Sequence, residues 1–268
     1  MRKHRLLLVC AALQACLLIL PDIACAADTY RLIYGPDNPM FPNERKAQAR
    51  MCRAVVKKLN QTKYEPPFTC KRKFDPHYSY FPVPDWKPLS GADALQAALA
   101  REKIWAAGGP PKEFESRFAQ NSARVRKLAE TGQLKAWEAT FDIVKNGEQA
   151  RVVLLYYGEV KVENECYYET HLAVLLPDRF EADKRYDRIS VADGEIIIDK
   201  GTAYIARWKN VPSATRNNRA GPRGPLHQGY LLIQSLYWAP KGPAVEEGAM
   251  VYDTVCQISY GRVIGHQQ

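Results

Sequence analysis

The chain lacks the short signatures of the commonest enzyme chemistries. It has no G-x-S-x-G elbow, no P-loop, no G-x-G-x-x-G and no H-E-x-x-H. It has no C-x-x-C, and the spacings from Cys52 to Cys70 to Cys166 to Cys256 fit no zinc knuckle. These absences exclude a motif-built serine hydrolase, nucleotide-binding or zinc site. They leave open a site whose groups meet from distant positions. No internal repeat and no low-complexity tract occurs. Histidine is scarce, with five in 268 residues. Beyond the first 20 residues no apolar run is long enough to cross a bilayer core of about 30 Å, so a transmembrane protein is not expected.

What is present begins with a leader. Arg2, Lys3 and Arg5 precede an uncharged, mostly apolar run from Leu6 to Leu20, which Pro21 and Asp22 end. Ala24-Cys25-Ala26 then gives the small-x-small pattern of a signal-peptidase site. Residues 1–26 therefore read as a signal peptide, with cleavage after Ala26 and a periplasmic or secreted product. A membrane anchor would need a longer run. Lipoprotein processing at Cys16 would leave the apolar run Leu17 to Leu20 on the mature chain.

Loss of the leader takes the formal charge from +9 to +7, because Arg2, Lys3, Arg5 and Asp22 leave together. A surplus of this size aids solubility, and in an exported protein it favours anionic glycans or acidic proteins over nucleic acid as partners. Three of seven cysteines, Cys10, Cys16 and Cys25, leave too. The remaining Cys52, Cys70, Cys166 and Cys256 are expected as two disulfides rather than free thiols. Local economy pairs Cys52 with Cys70, and Cys166 with Cys256.

The mature chain has a helical front, 27–132, and a strand-rich back, 133–268, expected to form one compact unit. Asn43 can cap a helix to about Leu59, with Ala47, Met51, Cys52, Val55, Val56 and Leu59 on one face. A strand is expected at Tyr30–Tyr34. Residues 61–90 hold six prolines and the rings of Phe74, Tyr78, Tyr80, Phe81 and Trp86, and read as an ordered, extended segment packed on the helices. Ser90-x-x-Asp93 opens one helix that Gly108 closes. Pro111 opens the next, with Phe114, Phe118, Val125 and Leu128 inward and Gly132 at its end.

After Leu134 the period falls towards two. Lys145-Asn146-Gly147-Glu148 and Lys200-Gly201 mark hairpins. Val152–Tyr157 is apolar on both faces and reads as a central strand. On "CYYETHLAVLL", Glu169, His171 and Ala173 face opposite to Cys166, Tyr168 and Leu172. About seven strands without intervening helices predict an α+β fold with a mainly antiparallel C-terminal sheet.

The candidate chemistry is sparse. Asp75-Pro76-His77 could form an acid/base pair, though a turn with a surface histidine is the commoner outcome. Glu169 and His171, two apart on a strand, could share a metal, but no third ligand is nearby, and an exposed polar pair on a half-solvated sheet is more frequent. Asp142–Gly147 resembles a calcium loop only in part, since Val144 and Val153 stand where oxygen ligands are needed. No cofactor is expected. In "RNNRAGPRGPLHQG", Arg216, Arg219 and Arg223 offer forked donors for carboxylate, sulfate or phosphate, within about 21 residues expected to link strands ending near Trp208 and starting near Tyr230.

The expectation is a non-catalytic exported binding protein of a bacterial envelope. It would meet an anionic glycan or a protein through that basic loop and an aromatic sheet face. One alternative is a periplasmic hydrolase with its site between residues 74–86 and the sheet, where Asp75, His77 and His171 would converge. A third is a structural envelope component. The sparse candidate chemistry leans against an enzyme.

Overall fold

The computed structural model describes residues 28–34, 46–66, 73–77, 79–144, 147–162, 165–186, 194–210, 226–238 and 250–262. Residues 1–26, expected as a leader, lie outside them. Three α-helices are described: α1 (Lys46–Thr62), α2 (Gly91–Ala107) and α3 (Phe114–Glu130). None is long and apolar enough to cross a membrane. Nine strands are described. β1 (Asp28–Tyr34) and β2 (Lys87–Pro88) come first, then β3 (Lys135–Phe141), β4 (Ala150–Val162) and β5 (Glu165–Leu175). β6 (Glu195–Asp199), β7 (Thr202–Asn210), β8 (Leu226–Trp238) and β9 (Met250–Arg262) complete the chain order.

The fold is α+β and antiparallel, but the strands form two sheets. One has the order β1-β9-β8-β7-β6, the other β2-β3-β4-β5. The expected count of about seven strands after Leu134 holds, β3 to β9, but the expectation that they share one sheet is corrected here. The cause is legible in β4 and β5, whose two faces are both apolar. Leu154, Leu172 and Val174 point one way; Val153, Leu155, Ala173 and Leu175 point the other. Each face needs its own cover. Ile196, Ala203 and Ile205 of the other sheet cover the first, and α2 with α3 covers the second. α1 packs on the opposite side of the larger sheet through Met51, Cys52, Val55 and Leu59. Each fully enclosed leucine or isoleucine contributes roughly 1.5–3 kcal/mol.

Local signals account for the helix and hairpin ends. The Ser90 hydroxyl accepts from the Asp93 N–H at 3.2 Å and donates to the Asp93 carboxylate at 2.7 Å. The β6–β7 turn places Lys200 and Gly201 at φ 51° and 76°, which is why glycine suits the second position. In the β3–β4 connection, Asp142 accepts from the N–H groups of Val144 and Gly147, so this aspartate organises a turn.

The expected disulfide pairing is also corrected. Cys52 is bonded to Cys256, with Cα atoms 6.1 Å apart. Cys52 lies on the inner face of α1, and Cys256 on the face of β9 that α1 covers. The local pairing failed because it assumed that Cys166 and Cys256 share a sheet. β5 belongs to the smaller sheet and β9 to the larger. Cys70 and the side chain of Cys166 lie outside the described residues.

Candidate functional site

The proline- and aromatic-rich segment crosses the seam between the sheets. Its Pro82 carbonyl accepts from the Ile198 N–H at 2.7 Å, which fixes it to β6. Tyr80 enters the core under α1, edge-on to Tyr64 and Trp208, while Val83 and Trp86 enter the core between the sheets. Phe74 lies flat on Tyr156, with centroids 4.6 Å apart and planes 7° apart, and within 5.7 Å of Trp137 and Tyr168. These four rings are only half-buried. Lys135 is exposed and sits directly across the ladder from Tyr156. The result is an aromatic platform with a cation at its edge.

Beside the platform is a small, shallow recess lined by Phe74, Asp75, Trp86, Leu154, Glu195 and Ile196 among others. The Asp75 carboxylate accepts from the backbone N–H of His77 at 2.9 Å. That bond builds a turn and does not orient the imidazole. His77 is exposed.

His171 is on the other side of the sheet. Together with Leu155 and Ala173 it faces α2 and α3, whereas Phe74 and Asp75 lie on the Leu154 face. The half-solvated face expected around Glu169 and His171 is therefore covered, and His171 is only 9% exposed. The cover is α2, whose inward positions are mainly alanine (Ala94, Ala97, Ala98), so its backbone comes close. At the next turn of the same stripe stand Arg101 and Glu102, 5% and 2% exposed.

These groups form one chain of bonds. The Arg101 guanidinium donates to Glu102 Oε1 at 2.8 Å and lies 3.0 Å from His171 Nδ1. The Tyr157 hydroxyl donates to the same Glu102 oxygen at 2.7 Å. His171 Nε2 is 3.3 Å from Glu169 Oε1, and Arg124 of α3 pairs with the other Glu169 oxygen. The rings of His171 and Tyr157 meet edge-to-face at 4.6 Å. Burial, then the Glu102 charge, pushes the Tyr157 hydroxyl far above the ordinary phenol range. The hydrogen bond from His171, reinforced by Arg124 and opposed by burial, lowers the Glu169 carboxyl to about 2.

That depression makes Glu169 a stabiliser above its unfolded value of 4.5, and its contribution is lost as pH falls from there towards 2. Acid titration of unfolding should therefore show a limb in this window, and Glu169→Gln should remove on the order of 1–3 kcal/mol of it. Equal acid limbs in both proteins would refute the assignment.

Glu169 and His171 do meet, as a shared metal would require, but both are already engaged in the chain. Among the described residues no three His, Cys, Asp or Glu side chains gather to hold a metal ion. Sequence reasoning did not single out Arg101, Glu102, Arg124 or Glu195. Arg101 carried a usable signal, because it repeats the apolar stripe of Ala94 and Ala98 at helical spacing. Many of the strand aromatics are core residues: Tyr204, Trp208 and Tyr260 pack under α1.

Arg216, Arg219 and Arg223 lie outside the described residues. β7 runs to Asn210 and β8 starts at Leu226, with Gly229 paired to both Asn210 and Tyr260. The end of the quoted stretch is thus ladder, and the connection is shorter than the 21 residues expected. Comparison with protein-family models, with curated proteins and with solved structures found no match to this chain.

Proposed function

We propose that the chain is an exported, non-catalytic binding protein of a bacterial envelope, and that its partner is an anionic glycan. The observation that carries this reading is the platform of Phe74, Trp137, Tyr156 and Tyr168, half-buried with Lys135 beside it. Ring faces stack on the C–H faces of sugars, and a lysine at the edge suits a carboxylate or sulfate. The arginines of residues 216–223 supply a second basic contact. The separation of His171 from Asp75 and His77 by the thickness of a sheet supports a binder over a hydrolase built from those three. Isothermal titration against a sulfated polysaccharide tests the proposal. Trp137→Ala with Tyr168→Ala should weaken binding at least tenfold, and Arg216, Arg219 and Arg223 to serine less. Unchanged binding by the aromatic variant would overturn it.

A second reading has an observation of its own. Asp75 and Glu195 line one pocket beside aromatic rings, and paired carboxylates serve glycoside hydrolysis. Hydrolysis of a polysaccharide that Glu195→Gln and Asp75→Asn each abolish would favour this reading.

A further inference from the structure

The chain of bonds between α2, α3 and the smaller sheet admits one protonation pattern. A guanidinium has donors only, so the Arg101 nitrogen 3.0 Å from His171 Nδ1 must donate, and Nδ1 must carry its lone pair. The ring proton then sits on Nε2 and is donated to Glu169 Oε1. The imidazole is neutral. With it neutral, the charges of the group cancel: Arg101 and Arg124 are cations, Glu102 and Glu169 are anions.

A second proton on His171 has one place to go, Nδ1. It would set an N–H against the N–H of Arg101 at hydrogen-bond distance and leave the group with one surplus positive charge. Glu169 attracts that proton, but its other oxygen is already committed to Arg124, while Arg101 faces the ring at the shorter distance. Arg101 is 5% exposed, so it cannot relieve the conflict by turning into water without moving α2. Among the described residues, the charged and titratable groups bonded in this chain around the ring are Arg101 and Glu102 from α2, Arg124 from α3, Tyr157 from β4 and Glu169 from β5.

We propose that His171 is a proton-operated latch. Neutral, it fastens α2 and α3 to the smaller sheet through Arg101. Protonated, it breaks that bond and releases the two helices from the Val153, Leu155 and Ala173 face. The latch does not depend on the ligand of the platform, which lies on the opposite face of the sheet.

The test uses the full mature chain. Nitrogen-15 NMR of labelled histidine, with the His171 signals identified by their loss in His171→Asn, should show Nδ1 bare and Nε2 protonated at about pH 7.5. Hydrogen exchange, corrected for its intrinsic pH dependence, should then speed up roughly tenfold across residues 91–130 between about pH 7.5 and about pH 5.5, one unit below an ordinary imidazole pKa. Residues 46–62, on the far side of the larger sheet, should not change. His171→Asn keeps an acceptor near the Nδ1 position and cannot take the proton, so its exchange should be flat over the same range. A proton found on Nδ1 at the higher pH would overturn the proposal. So would a wild-type pH response retained in His171→Asn.

Discussion

Replacing Arg101 by alanine should destabilise the protein by about 3–5 kcal/mol, a large share of the stability of an ordinary domain. The loss follows from what stays behind. Glu102, 2% exposed, would keep its charge with only the Tyr157 hydroxyl donating to it, and His171 Nδ1 would lose the guanidinium. Breaking a buried pair costs more than the pair contributes, because an uncompensated charge remains out of water. Replacing both members separates the two quantities. Arg101→Met with Glu102→Leu fills similar volume and leaves no orphan charge, so it should lose much less, under about 2 kcal/mol. Urea titration of the two variants measures the difference. If the single and double variants lose equally, the pair is not coupled, and the bond chain holds α2 in place no better than scattered contacts would.

The same region shows where sequence patterning stops. Helix ends were legible because their causes are local: Ser90 caps α2 through a residue three positions away, and Gly201 takes a φ that few other residues accept. The central place of β4 was legible because Val152 to Tyr157 has no polar side. How many sheets those strands make was not. An apolar face says that a cover is required and does not say which element supplies it. The aromatic segment illustrates the intermediate case. Its rings announced an ordered stretch packed on apolar surface, but that Phe74 settles on Tyr156 of the smaller sheet, and not on a helix, is decided by register and chain reach. Of the candidate site residues, Asp75 lies at the pocket that the platform borders, and Glu169 meets His171. Their partners Glu195, Arg101 and Arg124 stand 120, 70 and 45 or more positions away, counting from Asp75, His171 and Glu169, in stretches with no motif to mark them.

Loss of the Cys52–Cys256 bond should cost up to about 5 kcal/mol, as large as any side-chain substitution in the chain. The bridge spans a sequence separation of 204, and in the chain-entropy account the effect grows with the logarithm of the closed loop. It joins the inner face of α1 to β9, the neighbour of β1 in the larger sheet, and so ties the first described helix to the last described strand. The appropriate variant is Cys52→Ala with Cys256→Ala, because a single replacement leaves a thiol free to exchange with the remaining cysteines. Both positions are fully buried, so the double variant also loses a little packing, on the order of 1 kcal/mol. Thermal unfolding with and without reductant isolates the bridge. The wild type should fall to the midpoint of the double variant when reduced, and the variant should not respond to the reductant through this pair. Non-reducing peptide mapping should return a Cys52–Cys256 peptide, and, if Cys10, Cys16 and Cys25 leave with the expected leader, any second intramolecular bridge joins Cys70 to Cys166. Recovery of a Cys52–Cys70 peptide would instead restore the local pairing and would remove the covalent tie between α1 and the larger sheet.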